Sequence, residues 1–68
     1  MKAVSGKLFC ALLEEKGWVL RRIQGSHHIY AKKGKPIRIS VPVHGNHPLT
    51  IGLQGYLMKI AEIDESEL

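Results

Sequence analysis

The chain has 68 residues, of which 44% are apolar, and a formal net charge of +4. This length allows one small domain with a single core, so any functional site has to share residues with the fold. The apolar content argues against disorder, and no apolar run approaches the roughly 18 residues of a membrane span. We therefore expect one domain over residues 1–68, stabilised by a partner or by self-association.

The charges are unevenly arranged along the chain. No acidic residue occurs from Gly17 to Ala61, whereas residues 62–68 carry four acids and no base. A positive body favours an anionic partner, most commonly RNA or DNA, although lysines and arginines also serve solubility on solvated faces. The cations of this body are Arg21, Arg22, Lys32, Lys33, Lys35, Arg38 and Lys59.

The start of the chain lacks the apolar core of a secretory signal, and its single cysteine, Cys10, cannot form an internal disulfide. Both features are typical of a protein of the reducing cytoplasm. Nothing near Cys10 in sequence would lower its pKa, so we interpret it as a small core residue rather than a nucleophile.

Apolar residues at helical spacing predict a first helix from about Ser5 to Lys16, with Ser5 as N-cap and Gly17 as the C-terminal stop. Two extended segments follow, at residues 18–23 and 27–32. The glycine-containing turn between them predicts a β-hairpin.

The third extended segment follows a turn at residues 33–35 and has the clearest two-residue alternation in the chain. It predicts a strand with one buried face and one wet face. Pro36 is suited to the start of such a strand. The apolar positions of the strand are Ile37, Ile39, Val41 and Val43.

A loop rich in Gly, Asn and Pro comes next, and regularly spaced apolar residues then predict a second helix. This helix is expected from about Thr50 to Ala61 or Glu62, with two glycines weakening its first turn. Residues 63–68 are expected to fray.

The order α-β-β-β-α predicts an α+β fold, a three-stranded antiparallel sheet with both helices on one face. The other face, or its rim, is then left for the Arg, His and Lys side chains. Double-stranded RNA-binding domains use this arrangement, and so do small toxins that cleave RNA.

Two adjacent histidines, His27 and His28, open the second strand. Neighbouring strand residues point to opposite faces, so the two cannot both face one phosphate. Because His27 is in phase with Ile29 and Ala31, we expect it to lean toward the helix-covered side and to be partly buried. His28, in phase with Tyr30, is expected to be more open.

Two roles for His27 remain open. Imidazole exchanges a proton near neutral pH, and RNA carries its own nucleophile, the 2′-OH. A nuclease therefore needs little beyond a base or acid and cationic stabilisation of the phosphate, and His27 could be that base or acid. Alternatively, His27 hydrogen-bonds a turn backbone and only shapes the hairpin.

The remaining histidines and aromatics leave further alternatives. His44 and His47 could share an ion, but the sequence offers few of the cysteines and carboxylates that zinc and magnesium prefer, so no metal or other cofactor is expected. Trp18 is expected in the core. Tyr30 is compatible with a core position or with stacking on an RNA base.

Two motifs give the chain a family resemblance. Residues 25–30 are Gly-Ser-His-His-Ile-Tyr, and residues 39–46 are Ile-Ser-Val-Pro-Val-His-Gly-Asn. Together with Pro48-Leu49, Gly52, and the pattern from Ser5-Gly6-Lys7 to Gly17-Trp18, they resemble the HicA (YcfA-like) toxin family. The resemblance covers nearly the whole chain.

This resemblance implies the toxin of a type II toxin-antitoxin module, an endoribonuclease or mRNA interferase that cleaves mRNA without a metal. It implies that a HicB antitoxin binds and masks the toxin, and that His27 is the catalytic histidine. Gly25 matches the glycine of the same motif. His44 matches a motif position to which no role is assigned.

The main hypothesis is therefore a HicA-like ribonuclease toxin with a HicB-like antitoxin partner, in a hetero-oligomer or a homo-oligomer. The alternatives are a non-catalytic double-stranded RNA-binding module and an interaction element that has lost activity. His27 is the expected catalytic residue. The expected RNA contacts are Gly25, Ser26, His28, Tyr30, Arg21, Arg22, Lys32, Lys33, Lys35 and Arg38.

Overall fold

The computed structural model describes all 68 residues. Its elements are α1 (Gly6–Glu15), β1 (Val19–Gln24), β2 (His27–Ala31), β3 (Ile39–Pro42), α2 (Ile51–Ala61) and a short 3-10 helix (Glu65–Glu67). The strands form one antiparallel sheet in the order β1-β2-β3. The predicted α+β fold with the order α-β-β-β-α is confirmed.

Helix α1 begins and ends as its sequence predicts. The Ser5 side chain accepts a hydrogen bond from the Leu8 N–H at 3.0 Å, which satisfies one of the free donors of the first turn. Gly17 has φ of +93°, a conformation that glycine adopts without steric cost, and it ends the helical segment. Trp18 then enters the core, where it is 2% exposed, as predicted.

Both helices contribute to one core on one side of the sheet. The core strand residues are cross-strand neighbours or alternate along a strand, so they share a face. Helix residues from both α1 and α2 lie in the same cluster, which places both helices over that face. The central members are Phe9 and Leu13 of α1, Tyr30, Ile39 and Val41 of the sheet, and Leu57 and Met58 of α2.

A buried amide ties the N-terminal segment to α2. Gln54 is 0% exposed; its Oε1 accepts from the Val4 N–H at 2.9 Å, and its Nε2 donates to the Lys2 carbonyl at 2.6 Å. The Leu49 N–H also donates to the Val4 carbonyl at 2.8 Å. The segment before α1 is therefore part of the fold. Gln54 holds it in place, a structural role that the polar character of this residue alone does not predict.

The third strand is shorter than its alternation predicts. It begins at Ile39, the partner of Tyr30, and Ile37 is 44% exposed. Because β2 ends at Ala31, it has no residue opposite Ile37.

The C-terminal residues lie against the domain, which differs from the expected fraying. Glu62 adopts the left-handed conformation at the end of α2, with φ of +58°. The chain then turns so that Ile63 is 5% exposed, and Lys16 Nζ pairs with Glu67 Oε1 at 2.6 Å. Apolar burial of Ile63 therefore holds this acidic segment in place.

The α-helices have 10 and 11 residues. Both are too short to cross a bilayer, and the chain contains no helix that could do so.

Tyr30 is a core residue, and the hypothesis that its ring stacks on an RNA base is wrong. The side chain is 1% exposed, and its hydroxyl donates to Glu14 Oε2 at 2.7 Å. Burial, followed by the hydrogen bond to Glu14, raises the pKa of Tyr30 far above its usual range. Tyr30 thus anchors β2 to α1.

The close approach of α1 to β3 depends on a glycine. A Cβ on Gly6 would run into the carbonyl oxygen of Pro42, whereas a Cβ on Gly52 of α2 would meet nothing within 4 Å. We expect Gly6→Ala to lower the free energy of unfolding by about 1–3 kcal/mol through overpacking. We expect Gly52→Ala to raise it by up to about 1 kcal/mol through helix propensity. Urea unfolding of both variants checks this, and a stabilised Gly6→Ala protein would contradict it.

The raised pKa of Tyr30 predicts a loss of stability in alkaline solution. Above the ordinary tyrosine pKa of about 10, the unfolded chain releases a proton that folded Tyr30 retains, so the free energy of unfolding falls as pH rises. Unfolding midpoints across this range should fall less steeply in Tyr30→Phe than in the wild type. Tyr56→Phe, at an exposed position, is the matched control. Equal slopes in the two variants would refute the assignment.

Candidate nucleic-acid interface

The pairing register assigns each strand side chain to one face of the sheet, because cross-strand partners point the same way. Leu20 pairs with Tyr30, and Tyr30 pairs with Ile39, so these residues belong to the helix-covered face. The opposite face, here called the open face, carries no helix. Its residues are Gln24, His27 and Pro42 at one end and Arg22, Ile29 and Ser40 in the middle.

His27 lies on the open face and is exposed to solvent. The predicted pairing of side chains along β2 is confirmed, since His28 shares a face with Tyr30, but the predicted assignment of faces is wrong, because the helices cover the face of His28 and not that of His27. Ile29 and Ala31 favour the opposite phase by their apolar character. The tyrosine ring is larger than either side chain, and its burial against α1 sets the direction of the strand.

A two-residue turn holds His27 at the end of the sheet. Gln24 and His27 are partners, so only Gly25 and Ser26 connect β1 to β2. Gly25 has φ of +62° and Ser26 does not have a positive φ, the combination typical of a type II′ hairpin turn. The Val43 N–H donates to the Ser26 carbonyl at 2.8 Å and fastens this turn to the chain after β3.

The His27 imidazole makes no hydrogen bond with the protein. The alternative in which His27 bonds a turn backbone and only shapes the hairpin therefore has no bond to support it. The Ser26 carbonyl that fastens the turn is bonded to a backbone N–H instead. The ring is thus open to a ligand on the open face.

Five of the predicted RNA-binding cations line one cleft at the other end of the sheet. This basic cleft has a volume of about 410 Å³, and no acidic side chain lines it. Its walls also include Val19 and Ala31, which are cross-strand partners. The cations of the basic cleft are Arg21, Lys32, Lys33, Lys35 and Arg38.

A β-bulge brings two arginines to the same side of β1. The register shifts between Leu20 and Arg22, so Arg21 is the extra residue. Arg22 is the partner of Ile29 on the open face, and Arg21 lines the basic cleft beside Val19. Without the shift, consecutive strand residues would point to opposite faces.

His28 lies on the helix-covered face and away from the other predicted RNA contacts. It is half-buried and lines a mainly apolar groove of about 330 Å³ beneath α1, together with Leu20 and Tyr30. Cys10 lines the same groove, and burial raises the pKa of its thiol, which favours the neutral form. The predicted core role of Cys10 is consistent with its 7% exposure.

His44 and His47 are exposed in the loop before α2, where the His47 N–H donates to the His44 carbonyl at 3.0 Å. The chain has no cluster of three or more His, Cys, Asp or Glu side chains that could hold a metal ion. These two residues are therefore turn residues in this structure, and the absence of a metal requirement stays a prediction.

Two polar residues near His27 were missed by the sequence analysis. Gln24 is the cross-strand partner of His27 on β1. Ser40 lies on the open face as well, two residues before Pro42, the partner of His27 on β3. Both are exposed. The position of Gln24 follows once the two-residue turn is recognised, because the residues that flank such a turn are always opposite each other.

A comparison with known protein families shows the family of the chain. The family model described as the HicA toxin of bacterial toxin-antitoxin systems matches residues 6–63. The match begins at the first residue of α1 and ends at Ile63, two residues after the end of α2. No curated protein matches the chain. The match includes all three strands, His27 and the basic cleft, and the chain belongs to the HicA toxin family of bacterial toxin-antitoxin systems.

Proposed function

We propose that this toxin is a metal-independent endoribonuclease that cleaves mRNA in the cytoplasm, with His27 as its general base or acid. The observation that carries the proposal is the state of the His27 side chain. It is exposed, its imidazole makes no hydrogen bond with the protein, and it lies on the same face of the sheet as Arg22. A proton-transfer group has to reach its substrate directly, and this ring can.

The reaction needs little from the protein because the ribose supplies the nucleophile. With His27 as base, the imidazole accepts the proton of a 2′-OH while the 2′ oxygen attacks the adjacent phosphorus. The bond from phosphorus to the 5′ oxygen breaks, the leaving oxygen takes a proton from water, and a 2′,3′-cyclic phosphate forms. As acid, the same ring would instead give its proton to the leaving oxygen.

Arg22 is the cation best placed to act near the bond that is cleaved. It lies on the open face two residues from Gln24, the partner of His27, whereas Arg21 lies one residue further away and lines the basic cleft. Negative charge develops on the phosphate oxygens during attack, and a nearby guanidinium stabilises it with paired hydrogen bonds. We assign Arg22 this role.

The alternative of a non-catalytic double-stranded RNA-binding module is less well supported. Such modules commonly place several lysines at the start of their last helix to bridge phosphates. Here the first turn of α2 carries no cation, and Lys59 lies in its last turn. No feature of α2 therefore favours duplex binding.

We further propose that a HicB-like antitoxin masks the open face and the basic cleft, in a toxin-antitoxin hetero-oligomer. The unpaired cations of this surface would attract an acidic partner and steer its association. Self-association of the toxin is the other way to cover this surface.

The catalytic role of His27 predicts a large loss of activity in His27→Ala. We expect cleavage of mRNA by the purified protein to fall by about 10²–10⁴-fold and toxicity in cells to disappear. His47→Ala, which removes an exposed imidazole from a loop, is the matched control and should keep both activities. Growth curves, RNA integrity and the chemistry of the product ends in the presence of a chelator are the measurements. Equal toxicity of the wild type and His27→Ala would remove His27 from the mechanism.

The antitoxin proposal predicts a complex that weakens with salt. Exposed charges more than about 8 Å apart are largely screened at physiological ionic strength. The dissociation constant of the complex should therefore increase as the salt concentration rises. Titration of the toxin with its antitoxin at increasing salt gives the dependence. An affinity that does not respond to salt would point to an apolar interface and contradict the electrostatic one.

A further inference from the structure

The basic cleft and His27 lie at opposite ends of the same face. His27 is the first residue of β2, and Ala31, which lines the cleft, is the last. Four strand steps of about 3.3 Å separate them by roughly 13 Å. This distance exceeds the step between adjacent phosphates of a nucleotide strand. An anion in the cleft is therefore a different group from the phosphate that His27 would meet.

The charge of the cleft is largely uncompensated. Of its five cations, Lys35 alone has an acidic partner, Glu62, with 3.3 Å between Nζ and Oε2. That pair is exposed and contributes little. The other four repel one another in the free protein, and an anion that enters relieves the repulsion. The four cations without an ion pair are Arg21, Lys32, Lys33 and Arg38.

The chemistry of the cleft fits a phosphodiester backbone rather than a base. Arginine forks such as those of Arg21 and Arg38 match phosphate oxygens in pairs, and lysines add point charge. The remaining walls are Val19, Ala31 and Pro36, so no aromatic ring is present to stack on a base. Binding here would accordingly be insensitive to nucleotide sequence.

We propose that the basic cleft is a second phosphate site, which holds single-stranded RNA more than one nucleotide away from the bond cleaved at His27. The position of that bond rests on the proposed function. The RNA has to be unpaired at the cleaved bond, because attack by the 2′ oxygen requires alignment with the leaving oxygen, and a regular A-form helix prevents it. The substrate is then an RNA segment long enough to reach from His27 to the cleft.

Binding of short RNAs to the full-length His27→Ala protein tests this site. Fluorescence anisotropy would follow labelled single-stranded oligoribonucleotides, from a dinucleotide to about eight nucleotides, over a range of salt. Arg38→Gln and Arg21→Gln are made separately in this background, so that a folding defect in one leaves the other to decide. Lys59→Gln, which removes an exposed charge outside the cleft, is the matched control.

We expect affinity to rise sharply once the oligonucleotide is long enough to reach the cleft. Each cleft variant should reduce the gain in affinity with length, and it should reduce the slope of log affinity against log salt by about 0.7 for the longer RNAs. Lys59→Gln should keep the length dependence.

The proposal is overturned if the cleft variants show the wild-type length dependence and salt slope, or if Lys59→Gln changes them equally. Equal binding of duplex RNA with the same dependence on the cleft would overturn the assignment to single strands. Cleavage is measured separately with the wild type and His27→Ala. Cleavage by His27→Ala at the wild-type rate would remove the proposed catalysis, and the binding result would still decide the cleft.

Discussion

The burial of Tyr30 against α1 is the interaction on which the arrangement of this toxin depends. Its ring fills the core and its hydroxyl donates to Glu14, so β2 has one possible orientation. Because side chains alternate along a strand, that orientation sends His28 under the helices and His27 to the open face. A slip of one residue would exchange the two imidazoles and bury the proposed catalytic group. The core residue therefore sets the geometry of the proposed site without touching it.

The sheet separates two environments, and each of the two adjacent histidines lies in one of them. On the helix-covered side, His28 shares an apolar groove with Cys10, whose thiol is kept neutral by burial. On the open side, no acidic residue belongs to any strand, and cations follow the sheet from Arg22 to the cleft. A polyanion would be attracted by the cations in the middle and at one end of this face, and His27 lies at its other end. This division lets a small chain share its residues between folding and the proposed RNA chemistry.

Much of this structure follows from the sequence, and the failures have physical causes. The cap at Ser5, the stop at Gly17 and the element order are local and periodic features, and they are predictable for that reason. The phase of β2 is not, because Tyr30 is compatible with either face until its partner on α1 is known. That Arg21, Lys32 and Arg38 line one cleft could not be predicted, because it depends on the bulge and on the turn geometry, and the periodicity of the sequence indicates neither. The role of Gln54 likewise depends on chain segments far apart in sequence.

Strand β1 is exposed along its whole length and forms an edge of the sheet, with Val19 and Ile23 both more than half exposed. Such an edge is a template on which further chains can add strands and grow into aggregates. The bulge at Arg21 interrupts the regular ladder there, and two consecutive arginines place like charges against any identical neighbour. We therefore expect the same pair, which the proposed function assigns to phosphate, also to oppose edge-to-edge assembly of free toxin molecules. Neutralising these arginines would remove that protection against aggregation.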